Sequence, residues 1–268
     1  DVKITQEPFS IYVTGIDTYG ELTTVSRSDV NMVITVNPKT HQILLTSIPR
    51  DYYVSIAGST GLKDKLTHAG LKGVDTSVKT IENLLEMDIN YFLRINFTSL
   101  VEIIDAIGGV DVDNPFEFTA DYEENNEHVY YVFTKGSNHL NGKQALAYVR
   151  ERYGLREGDI ARARQQQQVL SAVIEKLSTS TILTKYSQIL GSIEGNFTTN
   201  LSLANITGFI EWQLDSMPSW TIESMVLTGS DASRKTASMP NLYSSVMIPD
   251  EEAVQEAIQK INDVTGQI

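Results

Sequence analysis

Apolar positions along this chain follow two alternating periods. FSIYVTGID (Phe9 to Asp17) is a dense run of β-branched and aromatic residues closed by a Gly turn, the pattern of a buried strand, and it leaves Asp17 at the strand's carboxyl end. A loop rich in Thr and Ser follows. VNMVITV (Val30 to Val36), the turn Asn37-Pro38-Lys39-Thr40 and QILLTSIP (Gln42 to Pro49) then read as a β-hairpin, its arms bracketed by Arg27, Asp29, Arg50 and Asp51. KDKLTHAG (Lys63 to Gly70) reads as a loop. Beyond it the period changes: Val78, Ile81, Leu84 and Leu85 fall on one side of an amphipathic helix over Thr76 to Glu86.

INYFLRIN is the next strand and FTSLVEIIDAIGG the next helix, ended by Gly108 and Gly109. Pro115 to Asn138 is polar and aromatic without a strong period and reads as a hairpin or loop insertion. LNGKQALAYVR is helical, as is QQQQVLSAVIEKL (Gln165 to Leu177). Helices near Leu183 to Leu190 and Leu203 to Leu214, strands near Trp220 to Leu227 and Leu242 to Ile248, and a helix from Asp250 complete the chain. Strands alternate with helices, with no repeat and no long linker. The expectation is therefore an α/β layered fold in a single domain over residues 1–268.

Composition narrows the possible functions. Lys+Arg 21 against Asp+Glu 34 gives a formal charge of -13, which argues against nucleic acid as a partner, since gripping a phosphate backbone calls for a net basic face. The absence of cysteine removes disulfides and thiolate metal sites from consideration. No uninterrupted apolar stretch reaches about 18 residues, so no membrane span is expected within the chain. It begins at Asp1 without a Met, and we expect an ectodomain piece of a longer protein.

In so acidic a chain, RERYGLREGDIARARQQQQ (Arg150 to Gln168) stands out. Five of the nine arginines fall within it, at positions 150, 152, 156, 162 and 164. Arg162 and Gln166 share a helix face, Asp159 stands where that helix begins, and Arg150 and Arg152, if extended, point to one side. Close guanidinium pairs repel by up to ~4 kcal/mol at an effective dielectric of about 20. An anion offsets that repulsion, or the carboxylates of Glu151, Glu157 and Asp159 do, and Asp159 also suits a plain N-cap. The glutamines read as a solvated helix face, with Gln166 singled out only by its spacing from Arg162. The second group, Asp17, Arg27, Asp29, Arg50 and Asp51, lies at strand ends. Two loop carboxylates beside arginines suit a hard divalent cation, and Asp at a strand end also suits an ordinary turn.

The order GID, RSDVNMVITVNPKTHQILLTSIPRDYYV, KLTHA, then LNGKQALAYVRER with a following D-x-x-R and Gln run, resembles the LytR-CpsA-Psr family of Gram-positive cell-envelope enzymes over about Phe9 to Leu177. The resemblance implies a three-layer α/β/α sandwich with a central mixed β-sheet and an apolar channel for a lipid tail. Phe97 to Ile107 and Val169 to Leu177 are the channel candidates, although a core face has the same periodicity. It implies an extracytoplasmic phosphotransferase that moves a glycopolymer from an undecaprenyl-pyrophosphate carrier to peptidoglycan, held to the membrane by an upstream anchor. It further implies that Asp17 and Asp29 bind Mg²⁺ and that Arg27, Arg50, Arg150, Arg152, Arg162 and Gln166 hold the pyrophosphate. Arg50, Asp159 and Arg162 are the residues closest to the chemistry, Asp159 orienting an arginine or accepting the acceptor hydroxyl's proton. Arg164 stands two residues after the Arg of D-x-x-R, where the family often has its next basic residue at three, and neither it nor Asp51 is given a role. Two other readings share these residues: a polyprenyl-pyrophosphate or nucleotide pyrophosphohydrolase, with water as acceptor, and a non-catalytic polyprenyl-phosphate binder or regulator of envelope synthesis.

Overall fold

The structure is a computed structural model and describes residues 2–22, 25–124, 127–151 and 158–266. In chain order, strands β1 (Phe9–Ile16), β2 (Val30–Asn37) and β3 (Gln42–Ser47) lead to the two-residue strands β4 (Tyr53–Val54) and β5 (Asp64–Lys65), then to α1 (Val74–Leu85), β6 (Tyr91–Asn96) and α2 (Phe97–Ala106). Next come β7 (Val110–Asn114), β8 (Phe118–Glu124), β9 (Glu127–Phe133) and β10 (Gly136–Leu140), followed by helices α3 (Gly142–Arg150), α4 (Asp159–Leu177), α5 (Ser180–Leu183) and α6 (Tyr186–Ser192). The chain closes with β11 (Thr198–Thr199), α7 (Leu203–Ser216), β12 (Thr221–Val226), β13 (Gly229–Thr236), β14 (Met239–Pro249) and α8 (Glu251–Thr265).

Two compact units interleave along the sequence. The first comprises residues 1–96, 198–209 and 218–268, and the second residues 97–197 and 210–217. The first is built on a six-stranded mixed sheet of order β11-β6-β1-β2-β3-β12, in which β1 runs parallel to β6 and antiparallel to β2. Its centre forms where the sequence is richest in β-branched residues. The β2–β3 turn is fixed by Asn37, whose Oδ1 accepts from Lys39 N at 3.0 Å. α8 packs on β2, β3 and α1 through Val254, Ala257, Ile258 and Ile261, a stripe at helical spacing that joins Tyr12, Val33, Leu44, Leu66, Ile81 and Leu85 in one core. Each such Val or Ile contributes about 1.5–3 kcal/mol by leaving water. Asp250 caps the helix, its side chain accepting from Glu252 N at 3.1 Å.

The second unit gathers Ile104, Ile107, Val110, Phe118, Phe133, Leu140, Leu146, Tyr148 and Val169 into its own core. Phe118, Phe133 and Tyr148 meet with ring centroids 5.1 to 5.4 Å apart. α3 begins with a reciprocal cap between Asn141 and Gln144. Gly142 is required there, because a Cβ would stand 2.2 Å from Val101 O of α2. The polar stretch expected as a hairpin is the β8–β9 pair, framed by β7 and β10.

KDKLTHAG corrects the sequence reading, since it forms β5 and a 3₁₀ helix over Leu66–Lys72 rather than a loop. The glutamine run corrects it too. Gln165 and Gln167 are buried, and Gln168 Oε1 accepts from Tyr148 Oη at 2.8 Å while its Nε2 donates to Asp113 O at 3.2 Å. That face of α4 looks inward because the unit packs against it, which polar composition alone does not reveal.

Candidate functional site

β1 and β2 are antiparallel neighbours with Gly15 opposite Val30, so the end of one lies beside the start of the other. Asp17 follows the first and Asp29 precedes the second. Asp29 N donates to Gly15 O at 2.9 Å, and Asp17 N donates to Asp29 Oδ2 at 3.1 Å. Arg50 arrives from beyond β3 and donates from Nη1 to Asp29 Oδ1 at 2.8 Å. The sequence-derived group Asp17, Asp29 and Arg50 is therefore one spatial cluster.

The 3₁₀ helix clamps the segments that carry these residues. Ser28 N donates to Thr67 O at 3.2 Å and Thr67 N to Arg50 O at 2.9 Å. Gly70 lies against the same segment, where a Cβ would come within 2.3 Å of Ser26 O. Sequence reasoning missed this clamp and also Lys65, which faces Asp51 at 3.1 Å and so draws Asp51 into an ion pair away from Asp29. Arg50 Nε is 3.9 Å from Asp51 Oδ2, a much weaker contact. Arg27 is exposed and has no side-chain partner among the described residues; the Asp17 carboxylate is likewise exposed and unpaired.

Asp17 keeps its whole carboxylate available, and Asp29 keeps Oδ2 with only an amide on it. Two oxygen donors anchored at adjacent strand ends fit Mg²⁺, which takes one or two carboxylates and leaves its other positions to water and phosphate oxygens. No group of three or more His, Cys, Asp or Glu side chains suited to a metal occurs among the described residues.

The second group lies in the second unit. Arg150 is the last residue of α3, where a cation suits the helix dipole, and its guanidinium lies 4.4 Å from the Phe97 ring centroid. Arg150 is thus helical and not extended, and Arg152 and Glu157 fall outside the described residues. Asp159 is the first residue of α4 rather than its N-cap, which is Gly158. Its Oδ1 stands 3.3 Å from Arg162 Nη2. Gln166 follows one turn later, half-buried, while Arg164 is exposed. Neighbouring Gln165 is buried, and neither of its amide atoms is hydrogen-bonded among the described residues. The apolar faces of α2 and α4 supply Ile104, Val169 and Ala172 to the core, leaving Phe97, Leu100, Val101 and Val173 half-buried.

A family model described as the LytR_cpsA_psr family matches residues 1–261. The chain belongs to this family. Among its LytR-CpsA-Psr relatives, the polyisoprenyl-teichoic acid–peptidoglycan teichoic acid transferase TagU of Bacillus anthracis is 45% identical over 197 residues, 73% of this chain and 61% of the relative. The chain thus spans about three-fifths of that relative's length. The crystal structure of Bacillus subtilis TagV superposes with a TM-score of 0.80 at 32% identity, covering 98% of this chain and 99% of that one. TagT bound to LI-WTA gives a TM-score of 0.73 at 29% identity, over 99% and 94% of the two chains. These LytR-CpsA-Psr structures share the mixed α/β architecture with its central mixed sheet. Among the described residues no helix is long and apolar enough to cross a membrane.

Proposed function

We propose that this chain is the catalytic part of an extracytoplasmic, Mg²⁺-dependent phosphotransferase. It moves a capsular or teichoic-acid-like glycopolymer from an undecaprenyl-pyrophosphate carrier to peptidoglycan, at the outer face of a Gram-positive membrane to which an upstream segment anchors it. Its relatives are named for transfer of polyisoprenyl-linked teichoic acid to peptidoglycan, and this supports the reading. The observation that carries it is Asp29, held between Arg50 and the Asp17 amide with one oxygen available beside a free carboxylate.

Asp17 and Asp29 would hold Mg²⁺, which supplies charge neutralisation to the pyrophosphate. Arg50 fixes Asp29, and Arg27, unpaired among the described residues, offers its guanidinium to a phosphate oxygen. Arg150, Arg152, Arg162 and Gln166 supply further donors for the pyrophosphate. Asp159, already beside Arg162, orients that fork. An acceptor sugar hydroxyl attacks phosphorus in line, a new O–P bond forms, the bond to the lipid phosphate breaks, polyprenyl monophosphate departs, and the hydroxyl proton passes to Asp159 or to solvent. Catalysis of this kind is positioning and charge stabilisation rather than covalent work. The half-buried Phe97, Leu100, Val101 and Val173 are the positions of α2 and α4 left for a prenyl chain.

The deciding experiment mixes the protein, Mg²⁺, a polyprenyl-pyrophosphate-linked glycan and a peptidoglycan oligomer. Polyprenyl monophosphate together with glycan joined to the oligomer is the expected result. Release of monophosphate with no joined product identifies a pyrophosphohydrolase, and binding without release identifies a carrier or regulator.

A further inference from the structure

β6 carries one residue that its surroundings do not explain. Arg94 is only 7% exposed. Its Nη2 donates to Ser26 Oγ at 3.0 Å, and among the described residues no carboxylate lies within ion-pairing distance of it. Burial disfavours its charged form. A guanidinium has five donors, and a single neutral hydroxyl uses one of them.

Its neighbours are similarly short of partners. Thr14 faces Arg94 across the parallel β1–β6 pair, and Thr14 Oγ1 is buried with no hydrogen bond among the described residues. Ser28 Oγ is buried and likewise unbonded among the described residues. Ser26 and Ser28 flank Arg27 and lead directly to Asp29, so Arg94 is tied to the segment that presents both. Were its work only to hold Ser26, a neutral amide would make the same bond without a buried charge.

We propose that Arg94 is a positioning residue of the phosphate site: it holds the Ser26–Asp29 segment and supplies a buried positive charge that finds its counter-ion only when a pyrophosphate group binds there. This rests on the pyrophosphate reading above. The group recognised is the same in a free pyrophosphate and in a prenyl pyrophosphate. Because Arg94 acts through the segment and through its charge, a lysine serves in its place, unlike at a site where a planar fork must grip two oxygens.

The test titrates wild type, Arg94→Gln and Arg94→Lys with inorganic pyrophosphate and with geranyl pyrophosphate in Mg²⁺, and records thermal unfolding without ligand. Arg94→Gln is expected to lose at least roughly tenfold in affinity for both probes, the span of one charge-assisted contact, with an unchanged or raised melting temperature. Arg94→Lys is expected to stay within about threefold of wild type, a difference below the usual value of one hydrogen bond. Wild-type affinity in Arg94→Gln overturns the proposal, as does a joint loss of melting temperature and affinity that lysine does not rescue. Loss confined to geranyl pyrophosphate overturns it too, because the effect would then lie with the lipid. Should Arg94→Gln not fold, the Arg94 Nε–H resonance of the wild type, assigned by its disappearance in Arg94→Lys, is followed on adding pyrophosphate. A shift supports the proposal and an unmoved resonance overturns it. Failure of the wild type to bind either probe would instead bring down the functional reading itself.

Discussion

Asp29 gives one carboxylate oxygen to Arg50, Nη1 to Oδ1 at 2.8 Å, and turns the other toward the Asp17 amide. The pairing is partly exposed, 32% for Arg50 and 21% for Asp29, so its attraction is screened and contributes at most about 1 kcal/mol to stability. Asp29→Asn should therefore shift the urea midpoint little while weakening Mg²⁺ binding at least about tenfold, the scale of one lost charge-assisted contact. Calorimetric titration with Mg²⁺ checks this, and unaltered affinity would remove Asp29 from the proposed metal site.

Arg162 and Asp159 form a pair three residues apart at the start of α4. Pairs of that spacing contribute about 0.2–0.5 kcal/mol. A phosphate contact from Arg162 would contribute ~1.5–3 kcal/mol. Arg162→Ala should thus unfold almost where the wild type does but lose roughly 10- to 150-fold in transfer, and Arg162→Lys should not recover it. A destabilised yet fully active Arg162→Ala protein would return the arginine to a structural role.

The inward turn of Gln168 gives a contrasting prediction. Tyr148→Phe strips its Oε1 of a donor and leaves Asn114 Oδ1, 3.2 Å from the same hydroxyl, without that neighbour. An orphaned buried acceptor costs about 1–3 kcal/mol, so the denaturation midpoint should fall while transfer activity stays near wild type. Burial, reinforced by the charge of Asp113, pushes the Tyr148 phenol up to about 12. An unfolded tyrosine ionises near pH 10. Its contribution is therefore present below that and lost as pH rises toward the folded value, and Tyr148→Phe should flatten the alkaline limb of the stability curve.

Asp64 supplies the acid counterpart. Burial alone would raise its pKa, but hydrogen bonds from His68, the Lys65 amide and Ser238, with the charge of His68, hold it below the ordinary carboxylate value. A depressed carboxyl stabilises the fold above its unfolded pKa, near 4, and that contribution disappears as pH falls through the folded value. Asp64→Asn should lower stability at neutral pH and show a shallower loss on acidification, measured by urea midpoints from pH 6 down to about 2. Parallel acid profiles would contradict the assignment.

A prenyl chain along α2 and α4 predicts length dependence. Each buried methylene contributes ~0.8 kcal/mol, so a fifteen-carbon prenyl pyrophosphate should bind far more tightly than a five-carbon one. Equal affinities would confine recognition to the headgroup.

The parts of the fold that could be read from sequence are those whose own residues dictate the local structure. β1 to β3 are dense in β-branched side chains around a turn fixed by Asn37, and α1 and α8 carry apolar stripes at helical spacing. β13, GSDASRKT, has almost no apolar pattern and exists because β14 pairs with it. The 3₁₀ helix is stabilised by Arg50 and Ser28 backbone bonds from distant segments, which no window of sequence contains. Asp17, Asp29 and Arg50 were legible as a group because strand pairing fixes where strand ends meet. Arg94 gave only a faint signal, a charge inside an otherwise strand-like run, because its isolation is a property of its neighbours in space.

The strand order of the sheet also has a consequence for how the protein is made. β11 and β12 are its two outer strands, and both lie beyond the long run of chain that builds the second unit. Until they arrive, β6 and β3 present bare, apolar-flanked edges of unpaired amides and carbonyls, templates for a neighbouring chain. A polypeptide emerging amino end first therefore passes through a long vulnerable interval. Shortening it before Thr198 would yield an aggregating fragment rather than a smaller folded protein, and the cost of late closure should surface as refolding yields that fall steeply with protein concentration.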